Sequence, residues 1–236
     1  MHRFYLPNLE RLILSNEEAH HCRDVLRQQV DDEVEVFDGQ GHAVRCRIAE
    51  ITRHEIRLSP LQHLHTPPLS VRITLAAALI KKNMDYIVQK ATELGAVAIV
   101  PLLTERTVTR NDRPTRWREI ALEACKQCGN NWLPEIAAAQ PLRAFLSTPH
   151  TRAFDLKLVA ALQPQAKPLK TAFTPARTVC VMIGPEGDFT AEEYAEITAA
   201  GFRPITLGPL VLRADTAALY ALSIVHHELV VHGNVL

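Results

Sequence analysis

The stretch Val179-Cys180-Val181-Met182-Ile183-Gly184-Pro185-Glu186-Gly187-Asp188-Phe189-Thr190 puts two carboxylates and two glycines into one turn. An apolar, strand-like run leads in, and Thr190-Ala191-Glu192-Glu193 has the form of a capping box that starts a helix. In open α/β sheets, ligands collect beyond the carboxyl ends of the strands. Phosphate is the common guest where a glycine turn opens a helix, but it does not suit this turn. Pro185 removes an amide donor, Glu186 and Asp188 repel anions, no Lys follows as in a P-loop, and G-x-G-x-x-G is absent.

Two more strand ends have unusual composition: Pro101-Leu102-Leu103-Thr104-Glu105-Arg106, and Leu207-Gly208-Pro209-Leu210-Val211-Leu212-Arg213. Gly184, Gly187 and Gly208 let main chain approach a ligand closely. Ile183, Leu207 and Leu212 could wall an aromatic ring. A neutral or cationic ligand suits such loops, and S-adenosylmethionine fits: a flat adenine, a polar ribose, a sulfonium and no phosphate. On the residues alone, the G-P-E-G turn reads equally well as a tight structural connection.

These loops need a scaffold. From Val71 onward, strands alternate with helices. Strands are expected at Ile73–Leu79, Val97–Leu102, Lys157–Leu162, Thr178–Ile183 and Pro204–Leu207. Helices are expected over Lys82–Leu94, Arg116–Cys128 and 190–201, with a last one capped by Asp215 or Thr216 and running to about Val231. Near-continuous apolar strands separated by helices predict a mostly parallel sheet covered on both faces. Before this lies a β-rich segment. Ser15-Asn16-Glu17-Glu18 predicts a capped helix. Glu33–Phe37, the turn Asp38–Gly41, Ala43–Ile48 and Glu55–Leu58 predict a small barrel. His65-Thr66-Pro67-Pro68 cannot continue a ladder or a helix, which divides the chain into residues 1–66 and 67–236.

Bulk composition is that of a soluble globular protein: 236 residues, 47% hydrophobic and 22% charged. No run is long and apolar enough to span a bilayer and no signal peptide is evident, so a soluble cytoplasmic protein is the expectation. Lys plus Arg equals Asp plus Glu at 26 each, so net charge gives no push toward nucleic acid. Cys125-x-x-Cys128 invites a zinc or redox reading. No second pair exists, and Trp117, Ile120, Ala121 and Ala124 share its helix face, which favours packing. His226-His227 point in different directions on a helix, so joint ligation is not expected and no metal is assigned.

Several motifs converge: Arg3-Phe4-Tyr5, the stretch from His20 to Arg27, the run Lys81–Gly95, Thr104-Glu105-Arg106, "IGPEG" at 183–187 and "LGPLVLRADTA" at 207–217. Together, over nearly the whole chain, they resemble the RsmE family, 16S ribosomal RNA uracil-N3 methyltransferases of the SPOUT class. The resemblance implies an α/β fold with a C-terminal trefoil knot, a homodimer, and a PUA-like N-terminal barrel for RNA binding. Physical topology rules alone predict an unknotted sheet. The resemblance assigns Thr104, Ile183, Gly184, Glu186, Gly187, Leu207, Gly208 and Leu212 to the S-adenosylmethionine pocket. The family more often has glycine where Asp188 stands and a Thr-Glu pair where Ala214-Asp215 stands. Cys128-Gly129-Asn130-Asn131 departs from the usual arginine-ending tract.

Methylating uracil N3 requires stabilising the charge left when its proton goes, or supplying a base. Arg213, emerging from Leu210-Val211-Leu212, is the expected charge-stabilising group; the bland alternative is a helix-end ion pair with Asp215. Glu186 is either a base or a partner for the sulfonium or amino group. Arg3, Arg23, Arg27, Lys81, Lys82, Arg106 and Arg110 are candidate phosphate contacts on 16S ribosomal RNA in the small subunit. Two other readings stand beside this one: a SPOUT enzyme acting on ribose or transfer RNA, and a non-catalytic RNA-binding assembly factor.

Overall fold

The computed structural model describes residues 1–231. The chain divides into two compact units, Met1–Pro68 with Leu122–Leu133, and Leu69–Ala121 with Pro134–Leu236.

The first unit is a five-stranded sheet: β1 (His2–Tyr5), β2 (Ile13–Ser15), β3 (Glu33–Phe37), β4 (His42–Ile51) and β5 (Glu55–His65), in the order β1-β3-β4-β5-β2. Only β1 and β3 pair in parallel. Alternation sends Val34, Val36, Val44, Cys46, Ile48 and Ile56 inward, where each is fully or almost fully buried. Two register shifts in the β4–β5 ladder bend this long hairpin.

The helix expected after Ser15 is short: α1 (Asn16–His20), continued by a π turn over His21–Val25. The predicted capping box does not form. Asn16 takes a left-handed φ of 51°, and the Ser15 hydroxyl makes no cap bond. Glu18 instead accepts from Lys126 Nζ at 2.5 Å and from the Tyr5 amide at 3.4 Å.

The segment 122–133 was expected to belong with the rest of the α/β region, yet its contacts are with the barrel. Arg3 explains why. Its Nε donates to Glu35 Oε1 at 2.8 Å, Nη1 to the Cys125 carbonyl at 2.7 Å, and Nη2 to Asn131 Oδ1, while its plane lies 4.5 Å from the Phe37 ring centre. With its side chain only 10% exposed, Arg3 cannot reach a phosphate; it is a structural clamp, which corrects the expectation from sequence. Arg3→Ala should destabilise the protein by about 2–3 kcal/mol, because it strands a carboxylate and a carbonyl. Denaturant melts would show this; unchanged stability with weakened RNA affinity would restore Arg3 as a phosphate contact.

Trp132 seals the same segment, its Nε1 donating to the Thr66 carbonyl at 2.9 Å. Gly41, at φ 95°, faces that indole, and a Cβ there would sit 2.5 Å from it. Cys125 is buried within the helix, and burial pushes its thiol up to about 12, which suits packing rather than reactivity.

The second unit follows the alternating pattern. Its elements are β6 (Arg72–Ala78), α2 (Met84–Glu93), β7 (Ala96–Leu103), α3 (Pro114–Cys128, its last turns counted with the first unit), β8 (Glu135–Ile136), β9 (Gln140–Pro141), α4 (Leu142–Ser147) and α5 (Pro149–Arg152). Then come β10 (Leu156–Ala160), β11 (Lys167–Pro168), a 3-10 turn at Leu169–Thr171, β12 (Thr178–Ile183), α6 (Ala191–Ala199), β13 (Arg203–Thr206) and α7 (Ala214–His226), which a π turn over His227–Val231 extends. Every strand pairing in this sheet is parallel, in the order β11-β13-β10-β12-β6-β7-β8, with β9 also on β7. The α/β fold with a mostly parallel sheet and a separate small barrel is therefore as expected.

Both faces of the sheet are covered, which is why β6 after Arg72 and β12 after Thr178 read as apolar runs, with Thr74 as the exception. One face packs Cys180 and Met182 with Phe145, Tyr194, Ile197 and Phe202. On the other, α7 lies against β12, β6 and α2. Burying a residue such as Ile197 contributes about 1.5–3 kcal/mol. Trp117 is buried on α3 and donates to Asp85 Oδ1 at 3.1 Å, a packing role.

Two boundaries differ from expectation. The Lys81–Gly95 run does not become helical until Met84, because Asn83 takes a left-handed φ of 70°. The last helix starts at Ala214, not at an Asp215 or Thr216 cap. Asp215 is engaged otherwise, accepting from Asn83 Nδ2 at 2.6 Å and from the Thr216 amide at 2.8 Å.

Candidate active site

The sheet order brings three strand ends side by side. β10 lies between β13 and β12, so the segments leaving all three meet at one rim. There they enclose a cleft of about 250 Å³, near the lower end of the roughly 300–1,000 Å³ span of small-molecule sites. Its walls are Ala160–Leu162 after β10, Ile183–Glu186 with Asp188 after β12, and Thr206–Gly208 with Leu210–Ala214 after β13. The lining is mostly apolar, with Glu186, Asp188 and Arg213 as its charged members.

Six of the eight residues assigned to the cofactor lie in this lining: Ile183, Gly184, Glu186, Leu207, Gly208 and Leu212. Thr104 and Gly187 do not. β7 is separated from β12 by β6, so Thr104 starts two strand spacings away, or about 10 Å. Its hydroxyl pairs locally with Thr107 Oγ1 at 2.9 Å. The third wall is the end of β10. Nothing in Ala160-Ala161-Leu162 marks it; only strand order places it there.

The glycines behave as main-chain surfaces. A Cβ on Gly184 would lie 3.0 Å from the Phe189 ring, so a larger residue would displace the turn. At Gly208, φ is 126° and a Cβ would meet nothing within 4 Å, so backbone stands open to the cleft. No phosphate cradle exists here. The turn after β12 presents two carboxylates and a proline, as its sequence indicated.

Glu193 holds the rim together. The second capping box forms as predicted: Thr190 Oγ1 accepts from the Glu193 amide at 3.2 Å, and Glu193 Oε2 accepts from the Thr190 amide at 3.0 Å. Glu193 Oε1 also accepts from the Glu105 amide at 2.8 Å. One buried carboxylate thus ties the loop after β7 to the start of α6. Arg106 reaches the same turn: its stem lies over Gly187 and its Nη1 donates to the Gly187 carbonyl at 2.6 Å. Tyr194 completes the frame. Its hydroxyl donates to Asp188 Oδ1 at 2.7 Å. Burial first, then Asp188, holds the phenol protonated well above its ordinary range, while the Leu162 amide is directed at the same oxygen.

Arg213 caps α7 with its backbone and extends its side chain, 74% exposed, at the cleft. The bland alternative, an ion pair with Asp215, exists at 3.8 Å. The guanidinium side of this pair is solvated and the separation is long, so the pair is worth no more than about 1 kcal/mol and does not hold the guanidinium back from a ligand.

The remaining phosphate candidates are not grouped by one element. Lys81, Lys82, Arg27 and Arg110 are exposed. Arg23 engages its donors locally at the surface, with Asp24 at 2.6 and 3.0 Å and with the carbonyls of Thr52 and Arg53 at 3.1 and 2.7 Å. Among the described residues, no group of three or more His, Cys, Asp or Glu could hold a metal ion, and no helix is long and apolar enough to cross a membrane.

A small β unit with a parallel sheet whose rim holds a phosphate-averse, glycine-lined cleft fits an RNA methyltransferase, and two family matches give that class. A family described as "RNA methyltransferase domain" matches residues 67–226, and one described as "RNA methyltransferase PUA domain" matches residues 14–61. The "Ribosomal RNA small subunit methyltransferase E" of Synechocystis is 35% identical over 218 residues, which cover 89% of this chain and 71% of that protein. The Aquifex aeolicus protein of the same name is 30% identical, over 95% of this chain and 98% of its own. The crystal structure of the Neisseria gonorrhoeae enzyme of that name, bound to S-adenosyl methionine, is 31% identical with a TM-score of 0.87, over 97% and 98% of the two chains. The chain belongs to the ribosomal RNA small subunit methyltransferase E family.

Proposed function

We propose that this protein transfers a methyl group from S-adenosylmethionine to N3 of a uracil in 16S ribosomal RNA of the small subunit. The observation that carries the reading is the cleft itself: apolar walls, open glycine backbone, two carboxylates and one exposed guanidinium at its mouth. The names of the relatives and the cofactor bound in the Neisseria structure support it. When bound, the cofactor supplies an electrophilic methyl on a sulfonium. The chain's own residues do the rest. Main chain at Gly184 and Gly208 and the side chains of Ile183, Leu207 and Leu212 hold the adenosyl group. Arg213 stabilises the negative charge left on the ring carbonyls when N3 gives its proton to the Glu186 carboxylate or to solvent water at the cleft mouth. Holding the reactants in line at attack distance supplies much of the remaining rate.

We assign RNA binding to the barrel unit, aided by Arg27, Lys81, Lys82, Arg106 and Arg110. Two further features belong to this reading. A trefoil knot is supported by the chain's path, which leaves β13 on one flank of β10 and returns as α7 over β12 and β6. A homodimer is supported by the outward Leu210 and Val211, 74% and 76% exposed, and by Tyr220 on α7. A reducing cytoplasm suits five free cysteines, four of them buried.

Mass-spectrometric mapping of small-subunit RNA from cells with and without the gene tests the assignment. One N3-methyluridine should disappear with the gene and return with the cloned protein; an unchanged RNA would refute it. RNA affinity should fall steeply as salt rises, by about tenfold or more between 50 and 200 mM.

A further inference from the structure

Asp188 stands where the turn needs a left-handed residue, with φ 61°. Asp tolerates that region better than most side chains, though less well than glycine. The carboxylate is not loose. Oδ1 accepts from Tyr194 Oη at 2.7 Å and from the Phe189 amide at 2.9 Å. The Asp188 amide donates to the Pro185 carbonyl at 2.9 Å, fixing the backbone as well. Both donors fall on one oxygen, and among the described residues Oδ2 takes no hydrogen bond. The residue is half-buried and forms part of the cleft wall.

From this geometry we infer that Asp188, held by Tyr194, makes the cleft prefer the positively charged methyl donor over the neutral product left after transfer. The inference rests on the S-adenosylmethionine reading. S-adenosylmethionine carries a sulfonium, an ammonium and a carboxylate, a net charge of +1. S-adenosylhomocysteine carries a thioether in place of the sulfonium, a net charge of 0. A carboxylate fixed in a small apolar cleft acts through a low effective dielectric, so the extra charge registers wherever it lies in the site. Glu186 lines the cleft too, but it is exposed and no hydrogen bond fixes it among the described residues, so solvent screens it. Arg213 has the opposing sign, and its 74% exposure weakens its effect in the same way. The device favours turnover: once the methyl leaves, the attraction that held the cofactor is gone.

Calorimetric titration of the intact protein with S-adenosylmethionine and with S-adenosylhomocysteine tests this. Asp188→Asn keeps the shape, the left-handed tolerance and an acceptor for Tyr194, and removes only the charge. The Kd for S-adenosylmethionine should rise about tenfold, while that for S-adenosylhomocysteine should change by less than about twofold. Tyr194→Phe frees the carboxylate and should shift the ratio of the two constants the same way by about threefold; a merely structural loss would weaken both ligands alike. Asp188→Gly relieves the backbone, so it keeps the measurement possible should the Asn variant fold poorly. Equal weakening of both ligands, or no change in either, would overturn the proposal. A wild-type protein that binds neither ligand would instead overturn the cofactor reading beneath it.

Discussion

Arg213→Ala should lower the rate of methyl transfer by about 10²–10³-fold while the Kd for S-adenosylmethionine stays within about threefold. The reasoning starts from exposure. At 74% exposed and 3.8 Å from Asp215, the guanidinium contributes little to the fold, so its removal should not unfold the protein. Its backbone carbonyl, which accepts from the Ala217 amide at 2.8 Å, is untouched by the substitution, so α7 keeps its start. What is lost is a cation at the mouth of a largely apolar cleft. On the proposed mechanism that cation is needed only when N3 has given up its proton and charge spreads to the ring oxygens, so the loss should appear in the rate rather than in cofactor affinity. Transfer of labelled methyl to small-subunit RNA, with calorimetry on the same preparations, measures both quantities. A variant that methylates within threefold of wild type would remove Arg213 from the mechanism.

Glu193→Ala should destabilise the protein by about 3–4 kcal/mol and loosen the cleft. This carboxylate is 93% buried and accepts from the Thr190 and Glu105 amides at 3.0 and 2.8 Å. Alanine leaves the buried Thr190 amide and the part-buried Glu105 amide without this acceptor, the buried one costing about 1–3 kcal/mol, and breaks the capping box that starts α6. Glu193→Gln keeps one acceptor oxygen and should lie between alanine and wild type. Thermal and urea melts give the stability, and cofactor titration gives the site. A shift below about 1 kcal/mol for alanine would show that the amides find other partners.

Much of the site was legible because its residues announce their constraints locally. Pro185 between two glycines, and the two acids beside them, rule out phosphate from residue type alone. The Thr190–Glu193 box formed as its spacing required, since all its bonds lie within one turn. Ser15–Glu18 has the same spacing and failed, because Lys126, remote in sequence, takes the carboxylate and Asn16 leaves the helical region. Arg3 looked like a surface cation and is sealed beneath Cys125 and Asn131, more than 120 residues away along the chain.

By itself, the sequence determined the alternation of strands and helices, the loop chemistry that excludes phosphate, and the family. Those follow from periodicity, proline and glycine geometry and motif, which act over a few residues. Tertiary structure alone decided that β10 sits between β12 and β13, and therefore that Ala160–Leu162 replaces the Thr104 loop as a wall. It also decided that Asp188 is anchored by Tyr194 and that residues 122–133 pack with the barrel. Strand order and burial depend on which distant apolar surfaces find each other, and no local spacing records that choice.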